Sequence, residues 1–74
     1  MARYSDQCRR AGELTAPEAA RILGITAKTI NQWAKDAIAG EPSRLAIAWV
    51  RRDVVGRYWF DGRAINHFAQ EIAG

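Results

Sequence analysis

The segment TAKTINQWAK, residues 26–35, carries hydroxyl, amide and ammonium groups but no carboxylate. The amides of Asn31 and Gln32 each combine a donor with an acceptor, which is the pattern that matches an adenine edge in the major groove of DNA. The ammonium groups of Lys28 and Lys35 can contact either bases or backbone phosphates. The chemistry that these residue types offer is therefore hydrogen bonding and charge neutralisation along a duplex.

These polar groups share one surface only if the segment is helical. Thr26 is a typical N-cap residue, and Ile30, Trp33 and Ala34 recur at the spacing of a buried helical face. The polar side chains then lie on the opposite face, where Thr26 and Thr29 are expected to hold a phosphate at the helix N-terminus. Solvated helices usually mix Glu with Lys. An acid-free face therefore favours DNA binding over simple exposure, which is the alternative for each residue taken singly.

A shorter helix is predicted just before this one. Thr15 and Glu18 form a capping box, and Pro17 falls in the first turn, where its missing N–H is tolerated. Gly24 is expected to end this helix, because glycine readily takes the left-handed conformation. Two short helices joined by so tight a turn must pack against each other to be stable. The pattern is typical of a helix-turn-helix, and a plain helical hairpin with a structural role is the alternative.

The second half of the chain is predicted to contain a β-hairpin. Residues 36–44 include Gly40 and Pro42 and are expected to form a loop. The runs 45–50 and 55–60 follow, and the first alternates large apolar residues with alanine while the second is rich in β-branched and aromatic residues. Both features are typical of strands. The expected fold class is therefore α+β, mainly α with a small β-hairpin.

Basic residues are concentrated around this hairpin. Residues 28–57 hold six Lys and Arg and three Asp and Glu, a local charge of 6 − 3 = +3. Arg51 and Arg52 are expected at or near the hairpin tip, and Arg57 is expected on the returning strand. Arginines of such a wing can enter the minor groove or clamp phosphate, with an ordinary charged turn as the alternative. Arg44, in the preceding loop, completes the predicted DNA-binding set.

The two ends of the chain complete the predicted domain. Asp61 is expected to cap a final helix that closes the core, and His67 is expected at its surface. Residues 1–13 are assigned to an N-terminal arm that can be flexible, and residues 14–74 to the domain itself. The apolar stripe of the final helix comprises Ile65, Phe68, Ala69 and Ile72.

Composition excludes several classes of protein. The chain has 74 residues, which predicts one domain, and its single cysteine and single histidine offer no zinc spacing, so no metal or cofactor is expected. The absence of a signal-like or membrane-spanning run predicts a cytoplasmic protein without a membrane partner. We expect no enzymatic activity and no small-molecule substrate, since no nucleophile–base pair, carboxylate pair or phosphate loop is evident.

The order of these features resembles a known family. The stretch LTAPEAARILGITAKTINQWAK and the later GRYWFDGRAINHF are similar to the MerR-like winged helix-turn-helix domains of phage excisionases, over about residues 14–72. The segment between Trp33 and the wing, with its bulky LAIAWV run, is longer than the family pattern. The resemblance therefore predicts the fold more directly than it predicts the length of the wing.

The resemblance implies an architectural role in site-specific recombination. Excisionases of this kind bind double-stranded DNA at phage attachment sites, associate cooperatively with neighbouring copies, bend the DNA and direct the phage integrase towards excision in the host cytoplasm. Two other functions fit the same sequence features. One is a small winged-helix transcriptional regulator, and the other is the DNA-recognition domain of a phage packaging complex.

Overall fold

A computed structural model of the chain describes residues 9–73. This range forms an α+β domain with three α-helices and a three-stranded sheet, which confirms the α+β part of the prediction, and none of its helices is long and apolar enough to cross a membrane. The elements in chain order are β1 (Glu13–Leu14), α1 (Ala16–Leu23), α2 (Ala27–Ala39), a 3₁₀ helix (Ile47–Trp49), β2 (Val50–Arg52), β3 (Tyr58–Asp61) and α3 (Gly62–Ala73).

Helix α1 begins and ends as predicted. The Thr15 hydroxyl accepts from the Glu18 amide at 3.4 Å, and the Glu18 carboxylate accepts from the Thr15 amide at 2.8 Å, which completes the capping box. Gly24 takes the left-handed conformation, with φ +71°, and its N–H donates to carbonyls of the last turn. The fully buried Ala19 has no bulk beyond its methyl group, so α1 can approach its neighbours closely.

Helix α2 also begins as predicted, at the Thr26 cap, but it is longer than expected. It continues to Ala39, and Gly40 ends it with φ +80°. The predicted loop at 36–44 is therefore wrong for its first four residues. The reason is packing: Ala37 is buried and extends the stripe of Ile30 by two further turns, so the helix continues until the first residue that favours the left-handed conformation.

The predicted strand at 45–50 is also wrong except at its last residue. Leu45 is buried, but Ile47 is 61% exposed and begins the 3₁₀ helix rather than pairing in the sheet. Ser43 fixes this connection, because its hydroxyl donates to the Trp33 carbonyl at 2.7 Å and accepts from the Leu45 amide at 3.2 Å. The alternation of the run thus reflects the buried Leu45 and the part-buried Trp49 on either side of a tight turn, and not a strand.

The sheet of the described residues is antiparallel, and β3 lies between β1 and β2. The register pairs Arg51 with Trp59 and Arg52 with Tyr58. Both arginines therefore lie within a strand, and the turn of the hairpin spans residues 53–57 instead. The second predicted strand, 55–60, in fact starts at Tyr58, and the short strand β1 was not predicted at all.

The core lies between the helices and one face of the sheet. Asp61 caps α3 as predicted, since its Oδ1 accepts from the Arg63 amide at 2.9 Å. Of the predicted α3 stripe, Ile65 is fully buried, whereas Ile72 is 46% exposed. Gly62 fits tightly, because an added Cβ would lie 2.6 Å from the Gly12 carbonyl oxygen. The buried cluster comprises Ala19, Ala20, Leu23, Ile30, Ala34, Leu45, Phe60 and Ile65.

Residues 9–13, which the sequence analysis assigned to the N-terminal arm, contact the domain. Glu13 pairs with Asp61 in the sheet, and the Arg9 guanidinium donates to Glu18 Oε1 at 2.8 Å. The remainder of the predicted arm, residues 1–8, lies outside the described residues. Residues 9–13 therefore pack on the domain through both backbone and side-chain contacts.

Candidate nucleic-acid interface

The exposed face of α2 carries four of the ten side chains that are predicted to contact DNA. Lys28, Asn31, Gln32 and Lys35 are exposed, whereas Ile30 on the opposite face is fully buried. The orientation of the helix is thus the predicted one. It follows from the apolar stripe, because burying that stripe against α1 and the sheet turns the polar residues outward.

Thr26 and Thr29 are joined to each other at the start of α2. The Thr26 hydroxyl accepts from the Thr29 amide at 3.2 Å, and the two hydroxyl oxygens are 2.9 Å apart. One of the two hydroxyls donates to the other, so a single hydroxyl hydrogen is left to meet an acceptor. The pair can therefore offer one hydrogen bond to a phosphate, rather than the two that independent side chains would offer.

The face of α2 is not free of acid over its full length. Because the helix continues beyond residue 35, Asp36 lies one turn after Gln32, and Gln32 Nε2 donates to Asp36 Oδ1 at 3.0 Å. This hydrogen bond fixes the orientation of the Gln32 amide, and only its second N–H and its oxygen are left for an adenine edge. The side chain of Asn31 makes no such hydrogen bond within residues 9–73, which makes it the better placed of the two amides.

A cleft brings Asn31 together with the hairpin. Its walls are the middle of α2, the start of α1 and the returning side of the hairpin turn. Tyr58, at the first position of β3, lies in this cleft and was not predicted to contact DNA. The position of Tyr58 next to Arg57 in the sequence was the one indication of this placement. The sequence alone could not show on which face of the strand the Tyr58 side chain lies. The residues lining the cleft are Thr15, Ala16, Pro17, Asn31, Val55, Gly56, Arg57 and Tyr58.

The hairpin turn is organised by one carboxylate. Asp53 Oδ1 accepts from the amides of Val55 and Arg57 at 3.0 and 2.9 Å, and Asp53 Oδ2 accepts from the Trp59 indole at 2.9 Å. Desolvation raises the pKa of Asp53, but these hydrogen bonds outweigh it and hold the pKa below its usual value. The negative charge is therefore directed into the turn, while Arg57 remains exposed.

Arg52 lies beside this turn. It is exposed, and its guanidinium lies over Gly56, where an added Cβ would be 3.2 Å from Nη2. Gly56 has φ +86°, which strongly favours glycine at this position. Arg52 and Arg57 thus place two cations on the two sides of the turn, close to the cleft that contains Asn31.

Arg51 does not belong to this surface. Its Nε and Nη2 donate to the two carboxylate oxygens of Glu13 at 2.9 and 2.6 Å, and its guanidinium lies 5.9 Å from the centre of the Trp59 ring. Only 24% of the Arg51 side chain is exposed. Arg51 therefore makes structural contacts away from the cleft, and its DNA contact stays a prediction. The hydrogen bond from Arg51 also holds the pKa of Glu13 below its usual value.

Arg44 lies outside the cleft as well. It follows α2, and its guanidinium lies 5.8 Å from the centre of the Trp33 ring, a distance typical of a cation–π contact. Arg44 is nevertheless exposed, as is Lys35 on α2. These two cations can extend a positive surface beyond the cleft, but they do not line it.

No protein-family model, curated protein or solved structure matches this chain. Across α2 and the hairpin the surface presents the cations Lys28, Arg52 and Arg57, whereas Asp36 and Asp53 both accept hydrogen bonds from neighbouring groups of the chain. The arrangement offers hydrogen-bond donors and positive charge to a ligand rich in acceptors.

Proposed function

We propose that this chain is a double-stranded DNA-binding protein with a winged helix-turn-helix fold. In this proposal α1 and α2 form the helix-turn-helix, and residues 52–58 form the wing. The observation that carries the proposal is the shared cleft, because Asn31 of α2 and Arg57 of the hairpin line the same depression. A helix that reads base edges and a loop that contacts the adjacent backbone must lie on one side of the molecule.

The two sides of the cleft suit the two kinds of DNA contact. Asn31 projects from the middle of α2, where a helix lying in the major groove brings its side chains to base edges. Arg57 and Tyr58 offer a guanidinium and a phenolic hydroxyl, both of which commonly donate to phosphate oxygens. Arg52, on the other strand of the hairpin, adds a second cation for the backbone.

The finer proposal is an excisionase-type architectural function. One module of this size offers few base contacts, and specific affinity usually requires a larger buried surface. Binding of neighbouring copies along the same DNA would supply the missing affinity, and contacts by a helix and a wing in adjacent grooves favour curved DNA. The proposed partners are duplex DNA and further copies of this chain, with a phage integrase added on the strength of the sequence resemblance to excisionases.

A binding assay tests the DNA-binding part of the proposal. A duplex site is selected from random sequences and titrated with the protein at low salt. Arg57→Ala should weaken binding, and Arg63→Ala is the matched control, because Arg63 is an exposed arginine of α3 that does not line the cleft. Asn31→Ala should weaken binding to the selected site by about 1–3 kcal/mol but leave a scrambled duplex unaffected. A protein that ignores duplex DNA at low salt would refute the proposal.

A longer DNA fragment tests the excisionase part of the proposal. In electrophoresis of a fragment that carries several selected sites, an architectural protein gives a ladder of complexes. The mobility of each complex depends on where the bend lies within the fragment. An integrase supplied with its attachment DNA should then favour excision only when this protein is present. Specific binding to a single site without a bend would instead favour the transcriptional regulator.

A further inference from the structure

The tip of the hairpin exposes two apolar side chains. Val54 is 87% exposed and Val55 is 61% exposed, which are among the highest values for large apolar residues in the described part of the chain. Turn positions are usually occupied by Gly, Asn, Asp or Ser, which need no burial. Two consecutive valines at such a tip gain no stabilisation from burial within the chain, and a ligand that covered them would supply it.

The tip is also held rigidly. The amides of Val55, Gly56 and Arg57 all donate to Asp53, at 3.0, 3.0 and 2.9 Å, so the turn has little freedom to withdraw the valines. Valine itself has a stiff χ1 torsion because it is branched at Cβ. Val54 and Val55 thus form a small, preorganised apolar knob at the end of a two-stranded support.

The surroundings of this knob are positive. Arg52 and Arg57 flank it, and the carboxylate of Asp53 accepts hydrogen bonds from within the turn. Val55 also lines the cleft that contains Asn31. An apolar knob between two cations suits a polyanion that has an apolar interior. Stacked bases between two phosphate backbones provide both features in the grooves of a duplex.

We propose that Val54 and Val55 act as an apolar wedge that enters the minor groove and partly unstacks one base step beside the sequence contacted by α2. This inference rests on the DNA-binding function proposed above. The favoured step is a flexible pyrimidine–purine step such as TA, because it unstacks at low cost. The wedge supplies a physical cause for a bend, since partial unstacking kinks the duplex towards the major groove.

The test uses a duplex that carries the selected site and, beside it, a TA step whose adenine is replaced by the fluorescent base 2-aminopurine. Binding of the parent protein should raise the fluorescence, because the probe becomes unstacked, and should bend the DNA. The double variant Val54→Thr, Val55→Thr keeps the shape and branching of both side chains. It should lose the fluorescence rise and most of the bend, with affinity about tenfold weaker, since 1.4 kcal/mol corresponds to that factor.

Two further variants keep the test decisive. Ile72→Thr is the matched control, because Ile72 is an exposed β-branched residue on α3 and not on the hairpin, and it should behave as the parent. Val54→Ile enlarges the wedge at the more exposed position without adding polarity. It should raise the fluorescence further, which shows the effect in a variant whose turn hydrogen bonds are untouched.

The outcomes separate the wedge from the DNA-binding function. A parent that binds and bends the duplex without any fluorescence rise, and a double variant that bends it equally, would overturn the wedge alone. A double variant that bends single-site DNA normally but no longer forms the ladder on longer DNA would also overturn it, because the tip would then contact a neighbouring copy. A parent that does not bind duplex DNA would overturn both proposals.

Discussion

The contact between Glu13 and Arg51 gives a stability prediction. In the parent, Arg51 Nε and Nη2 donate to Glu13 Oε2 and Oε1 at 2.9 and 2.6 Å. Glu13→Gln keeps the shape of the side chain but removes its charge, so Arg51 loses its ionised partner. Hydrogen bonds to charged groups contribute about 1.5–3 kcal/mol each, and the amide oxygen of glutamine can still accept one of the two. We therefore expect the free energy of unfolding to fall by about 2 kcal/mol.

That loss is measurable by thermal unfolding. A change of about 1 kcal/mol moves the Tm of a domain of this size by roughly 4–8 °C, so Glu13→Gln should lower the Tm by about 10 °C at pH 7. Circular dichroism and the fluorescence of the tryptophans both report the transition. The matched control is Glu71→Gln, the same substitution in an exposed pair. Glu71 Oε1 lies 3.1 Å from His67 Nε2, but the Glu71 side chain is 60% exposed. Exposed pairs contribute about 0–1 kcal/mol, so the control should shift the Tm much less.

The same contact determines how stability depends on pH. The pKa of Glu13 is lower in the folded protein than its ordinary value of 4.5, because Arg51 stabilises the ionised form. Ionised Glu13 therefore stabilises the fold above about pH 4.5, and this contribution is lost as the pH falls through the folded-state pKa. The Tm of Glu13→Gln should consequently fall less steeply than that of the parent on acidification.

Two results would refute this reasoning. One is a Glu13→Gln protein that melts within about 2 °C of the parent at pH 7, since so small a shift for this domain size means a contribution well under 1 kcal/mol. The other is an acid transition with the same steepness in both proteins. At temperatures where both are folded, their affinities for DNA should agree, because Glu13 and Arg51 do not line the cleft.

Three further predictions concern the turn, the hairpin and the face of α2. Gly24→Val should lower the free energy of unfolding by about 1–2 kcal/mol, because valine resists the left-handed conformation; denaturant unfolding measures this, and a parent-like midpoint would contradict it. Arg52→Ala should weaken binding to all duplexes alike and reduce the slope of log K against log salt by about 0.9; an unchanged slope would exclude a phosphate contact. Asp36→Asn removes a carboxylate from the α2 face and loosens its hold on Gln32, so titrations should show tighter DNA binding, and weaker binding would contradict this.

Local signals in the sequence were sufficient to predict α1, the turn at Gly24 and the start of α2. Thr15, Gly24 and Thr26 act on the backbone within four residues of themselves, so their roles can be inferred without knowing the rest of the fold. The predicted loop begins too early, at residue 36, because residues 36–39 hold only Asp, Ala and Ile and show no break before Gly40. Gly40 alone was the helix stop, and the continuing stripe through Ala37 was the signal for it.

Long-range pairing could not be predicted in the same way. Strand β1 has two residues, Glu13 and Leu14, which are too few to show an alternation, and its partner β3 lies far along the chain. The partner of Arg51 is 38 residues away. The local charge of +3 over residues 28–57 therefore overstates the cations available to a ligand, because Arg51 already neutralises a carboxylate that lies outside that range.

Successive side chains of the central strand β3 point to opposite faces of the sheet, and this separates Arg51 from Arg52. Side chains that are paired across an antiparallel ladder share a face, so Arg51 lies with Trp59 and Arg52 lies with Tyr58. On the Trp59 face, Arg51 contacts Glu13 and stabilises the fold. On the other face, Tyr58 reaches the cleft with Asn31. The two adjacent arginines thus have different roles because they lie on opposite faces of the sheet. A shift of the β2–β3 register by one residue would move each arginine to the other face and exchange the two roles.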